Sequence, residues 1–114
     1  MIQPEAFRKM ALSYPEVVEQ DHWGNPSFRI KKKIFATLQP EEKTAVLKLN
    51  EFDRPIFWAI DSKMIFPVEG AWGKQGWTKV DLTKVKKEIL IQAMNAAYCT
   101  VAPKKIAEKF RADI

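Results

Sequence analysis

The chain has 114 residues, 46% of them hydrophobic, which is enough for one modest core and argues for a single domain spanning residues 1–114. Nineteen Lys and Arg against fourteen Asp and Glu give a net charge of +5, which permits an anionic partner without requiring one. A single cysteine, Cys99, excludes an intramolecular disulfide, no apolar run reaches membrane-spanning length, and Met1–Glu5 lacks a signal-peptide pattern; a cytoplasmic, non-membrane protein is expected.

The first helix is expected over residues 4–13. Pro4 suits its first turn, and Phe7, Met10, Ala11 and Tyr14 repeat on one face until Pro15 stops it. Glu19 to His22 reads as a polar connection. Three short strands then alternate. In the first, Phe28 and Ile30 share a face; in the second, Ile34, Ala36 and Leu38; in the third, Ala45, Leu47 and Leu49. Lys31, Lys32 and Lys33 fall at the first turn of this meander and Pro40–Lys43 at the second. A second, short helix is expected over residues 50–61, capped by Asp53, with Ile56, Phe57 and Ile60 on its apolar side.

Met64–Val68 reads as a fourth strand, either at an edge or irregular, because Pro67 cannot donate to a ladder. A loop rich in Gly and Trp follows, Trp72-Gly73-Lys74-Gln75-Gly76-Trp77. It leads into a fifth strand, Trp77–Leu82, with Thr78, Val80 and Leu82 on one face and Trp77, Lys79 and Asp81 on the other. Thr83 is the expected cap of a third helix running to about Tyr98, with Val85, Ile89, Leu90, Ala93, Met94, Ala96 and Ala97 forming a broad apolar face. Pro103 opens a last helix bearing Ile106, Ala107 and Phe110 opposite Lys104, Lys105, Lys109 and Arg111. The expected fold is α+β, in the order α-β-β-β-α-β-β-α-α: an antiparallel sheet of about five strands with helices packed on one face and the other at least partly open.

Several motifs together carry a family resemblance. They are Tyr14-Pro15-Glu16-Val17-Val18-Glu19, His22-Trp23-Gly24-Asn25-Pro26-Ser27-Phe28-Arg29, Lys33-Ile34-Phe35-Ala36, Phe66-Pro67-Val68, the run Trp72 to Leu82, and Val101-Ala102-Pro103-Lys104-Lys105. In that order they resemble the MmcQ/YjbR family over nearly the whole chain. The resemblance implies a frataxin-like (CyaY-like) topology and DNA binding through paired wing-like hairpins. It supplies no catalytic residues to carry over. Iron binding, which the topology brings to mind, is disfavoured because the first helix sets only Glu5 against Arg8 and Lys9.

Two constellations remain as candidate sites. Arg29, Lys31, Lys32, Lys33 and Lys79 are the candidate nucleic-acid contacts, chosen for charge and outward register; the plainer account is a solvated turn that deters edge pairing. His22, Trp23, Trp72 and Trp77 are the candidate aromatic surface or pocket, which could stack a base or hold a small ligand, or else simply seal a minor core. Catalysis is not expected. Asp21 could orient His22 as a base, but Ser13, Ser27 and Ser62 lack a nucleophile motif and Cys99 lacks an activating context. One His and one distant Cys cannot assemble a zinc site, and Gly70, Gly73 and Gly76 lack the Lys-Ser/Thr ending of a phosphate loop. No cofactor is therefore expected. The leading expectation is weak, sequence-independent nucleic-acid binding; the alternative is a small-ligand or protein-interaction module built on the Trp-Gly region.

Overall fold

The computed structural model describes residues 1–111; the side chain of Arg111, grouped above with the last helix's lysines, lies outside the described part. Among the described residues there are five helices and six strands: α1 Pro4–Leu12, β1 Val18–His22, β2 Asn25–Ile30, β3 Lys33–Gln39, β4 Thr44–Lys48, α2 Arg54–Trp58, β5 Ile65–Pro67, α3 Ala71–Lys74, β6 Trp77–Asp81, α4 Lys87–Val101 and α5 Lys104–Arg111. The strands form one sheet in the order β1-β2-β3-β4-β6-β5, every neighbouring pair antiparallel. The expected α+β class holds, and Pro67 does sit on an edge strand.

The core lies between the sheet and the helices. Phe7 and Ala11 of α1, and Leu90, Ala93, Met94 and Ala97 of α4, are fully buried against Phe28, Ile30, Ala45, Leu47, Val80 and Leu82. Each large apolar side chain removed from water in this way contributes about 1.5–3 kcal/mol. An aromatic cluster closes one end of this layer. Tyr14 stacks on Tyr98 at 4.6 Å between ring centroids, and Phe35 meets both edge-on. The Tyr14 hydroxyl donates to Asn95 Oδ1, and that of Tyr98 donates to the Pro15 carbonyl at 2.7 Å, so the chain leaving α1 is tied to α4 by polar as well as apolar contacts.

Four expectations need correction. Residues 18–22 form an edge strand rather than a connection; Trp23 and Gly24, both at positive φ, turn it back onto β2. All five of its residues are exposed or only half-buried, so no apolar alternation marked it. In β3 the pairing of Phe28 with Ala36 and of Arg29 with Ile34 leaves Phe35 as the extra residue of a bulge. The bulge puts both Phe35 and Ala36 in the core and turns Ile34 to the other face. α2 is only five residues long. Asn50 Oδ1 accepts from the Phe52 and Asp53 amides, while Asp53 makes no side-chain cap, and Ile56 and Ile60 are exposed. Thr83 does not cap α4, because its amide and hydroxyl both donate to Asp81 Oδ1; the helix starts later, at Lys87.

Burial pushes the Tyr98 phenol up to about 12, with Glu16 adding to the shift. The phenol ionises near 10 in an unfolded chain, so the unfolded state sheds this proton first. The stabilisation is complete below about pH 10 and is lost as pH rises toward about 12. Tyr98→Phe is expected to flatten this alkaline decline while costing about 1 kcal/mol at neutral pH through the lost bond to Pro15. Urea unfolding across the alkaline range checks it; an undiminished decline in the variant would contradict the assignment.

Candidate nucleic-acid interface on the open sheet face

The strand registers assign each outward residue to a face. Phe28 and Ile30 point to the helices, so Ser27 and Arg29 point away from them; the same parity turns Thr44, Val46 and Lys48 of β4 and Trp77, Lys79 and Asp81 of β6 to the open face. On β1, Gln20 pairs with Ser27 and His22 with Asn25, which puts His22 on the open face and its neighbour Asp21 on the other. Asp21 Oδ2 instead accepts from the Gly24 amide at 3.3 Å, so it does not orient His22 as a catalytic carboxylate would.

A cavity of about 230 Å³ lies on this face. Ile34, Val46 and Val68 supply apolar walls, Trp72 and Trp77 supply two indoles, and His22 and Thr37 supply the polar groups. The expected Gly-Trp loop is in fact a one-turn helix, α3, that carries Trp72 to this site. Its position depends on close backbone approaches. A Cβ on Gly73 would lie 2.0 Å from the Val68 carbonyl oxygen, and one on Gly76 would lie 2.0 Å from that of Leu49 and 2.6 Å from the Arg54 guanidinium. Gly76 also holds φ +100°, a conformation that disfavours other residues. Arg54 donates to the carbonyls of Leu49, Lys74 and Gln75, locking the exit of α3 to the end of β4. Trp58 donates from its indole to Thr78 Oγ1 at 3.0 Å and stays on the core side of β6.

Lys48 sits above the Trp77 ring, its ammonium 5.0 Å from the centroid. Burial, and then the neighbouring Arg54 charge, lower its pKa. Sequence reading passed over Lys48, although the alternation Thr44, Val46, Lys48 against Ala45, Leu47, Leu49 already marked it as outward-facing.

The candidate residues fall into two groups. His22, Trp72 and Trp77 come together at the cavity, whereas Trp23 does not line it. Trp23 is 91% exposed at the tip of the β1–β2 turn, with the His22 ring 6.2 Å away. The open face carries Arg29, whose Nε donates to Ser27 Oγ at 3.0 Å, and Lys79, which lies 3.9 Å from Glu42. The lysine turn goes elsewhere. Lys31 and Lys32 both take positive φ, Lys31 pairs with Glu16 at 3.1 Å, and Lys33 lies opposite the core residue Ile30 and so leaves the sheet on the helix side. Cys99 is buried in the core, where its thiol donates to the Ala107 carbonyl at 3.4 Å. Among the described residues no cluster of three or more His, Cys, Asp or Glu side chains is placed to hold a metal ion, and no helix is long and apolar enough to cross a membrane.

Sheet order and layering define an open-sheet α+β protein. The YjbR family model matches residues 12–100, and the chain belongs to that family. The crystal structure of Deinococcus radiodurans protein DR2400, a DUF419-domain protein, is similar in fold, with a TM-score of 0.75 at 16% identity over 96% of this chain and 91% of that one. No curated protein matches the chain in sequence.

Gly73→Ala is expected to push α3 off the Val68 carbonyl, lowering stability by about 2 kcal/mol and exposing Trp72 further. Denaturant unfolding together with acrylamide quenching of tryptophan emission checks it. Wild-type stability and quenching in the variant would show that the close approach does not position Trp72.

Proposed function

We propose that this chain is a non-enzymatic, cytoplasmic protein that binds nucleic acid weakly and with little sequence preference through the open face of its sheet. The observation that carries the proposal is the pairing of an outward tryptophan with a cation on the sheet face opposite α1 and α4: Trp77 beneath the Lys48 ammonium, with Lys79 and Arg29 outward on the same face. Cations there would neutralise phosphates and release counterions, while an indole offers every base the same stacking surface. The net charge of +5 favours such a partner. The divided placement of the lysine turn shifts the weight of the contact set from Lys31, Lys32 and Lys33 toward Lys48, Lys79 and Arg29. The second reading, a module for a small ligand, is favoured by the cavity between Trp72 and Trp77.

Each phosphate contact removed should lower the slope of log affinity against log salt by about one unit. Lys79→Gln is expected to do so, and Lys32→Gln to change the slope little. Fluorescence titrations with an oligonucleotide across a salt series check this. The reverse ranking would move the interface to the hairpin, and no binding even at low salt would refute nucleic-acid binding.

A further inference from the structure

We infer that the cavity between Trp72 and Trp77 receives one unstacked base, so that the protein selects single-stranded nucleic acid over duplex. This inference rests on the nucleic-acid reading above and adds to it the form of the ligand. Size comes first. At about 230 Å³ the cavity lies below the roughly 300–1,000 Å³ of sites that enclose a drug-sized molecule, so it suits one small ring system rather than a whole nucleotide. Its chemistry fits a base as well. Two indoles offer stacking surfaces, Ile34 and Val46 give an apolar floor, and His22 and Thr37 bring hydrogen-bonding groups to an otherwise apolar lining. Thr37 Oγ1 accepts from Gln39 Nε2 at 2.9 Å, which leaves its own proton to donate.

Charge complementarity decides the occupant. The Lys48 ammonium rests against the Trp77 ring that bounds the cavity, and Lys79 follows two residues later on the same face of β6. A neutral ring would enter the apolar cavity while its attached phosphates stay outside, within reach of these lysines. Duplex DNA presents the phosphates equally well. It can deliver a base only by breaking a pair and a stack, which costs a few kcal/mol. A single strand avoids that cost, and base–aromatic stacking adds to its affinity.

The test compares three ligands of equal phosphate count at low salt: an oligothymidylate, the same strand made abasic, and a duplex. The oligothymidylate should bind about tenfold tighter than either of the others and quench tryptophan emission. Trp72→Ala truncates an exposed side chain and should remove that advantage, bringing the oligothymidylate down to the affinity of the abasic strand. Val46→Phe, which fills the cavity without removing an indole, should do the same and guards against a folding defect in the first variant. Equal affinity for all three ligands would overturn base insertion while leaving the nucleic-acid reading intact. An advantage that survives both variants would overturn it as well. Binding to none of the three would remove the nucleic-acid reading itself.

Discussion

Arg54 donates to three backbone carbonyls, those of Leu49 at 3.0 Å, Lys74 at 3.1 Å and Gln75 at 2.8 Å. One planar guanidinium thereby fixes the end of β4, the exit of α3 and the start of α2 relative to one another. Gly76 must be glycine because the Leu49 carbonyl and this guanidinium fill the space a Cβ would need. Gly73 must be small because α3 rests on the Val68 carbonyl. These close approaches hold α3, and with it Trp72, beside the sheet. Without them the cavity would lose the wall that Trp72 supplies.

The two faces of the sheet therefore do different work. One is buried, where α1, α4 and the Tyr14–Phe35–Tyr98 cluster pack against it. The other presents cations and the Trp77 indole in strand register. Its side chains are positioned by β4 and β6, central paired strands, rather than by mobile loops, so the geometry of Lys48, Trp77 and Lys79 is set by the ladder itself. The bulge at Phe35 links the two faces: by adding one residue to β3 it sends Phe35 into the core and Ile34 into the cavity wall.

How much of this was legible in the sequence depends on which signal each element carries. Strand β6 was plain, because Thr78, Val80 and Leu82 alternate cleanly with Trp77, Lys79 and Asp81. The broad apolar face of α4 was equally plain, and Pro67 marked its edge strand by chemistry alone. Strand β1 was not legible, since an edge strand of Glu, Gln and Asp carries no apolar period. The bulge was hidden because Lys33-Ile34-Phe35-Ala36 fits either parity. Lys31 and Lys32 form a two-residue turn without the Gly or Asn that usually signals one, so its geometry, and hence the direction of its charges, could not be read. Within the site, the Trp-Gly spacing pointed to Trp72 and Trp77, but the same spacing drew in Trp23, which the β1–β2 turn carries away from the cavity. Lys48 was legible from the alternation of Thr44, Val46 and Lys48 with Ala45, Leu47 and Leu49, although a single lysine at a strand end carries no charge-cluster signal.

The central claim is that binding takes place on the open face and not at the lysine hairpin. The most direct measurement is a two-dimensional NMR titration of the four tryptophan indole N–H resonances with a short single-stranded oligonucleotide at low salt. The account predicts that the Trp72 and Trp77 signals shift together and saturate, while Trp58, bonded to Thr78 on the core side, and Trp23, exposed at the tip of the β1–β2 turn and outside the cavity lining, shift less. Shifts confined to the backbone amides of Lys31–Lys33, with all four indoles unmoved, would contradict it.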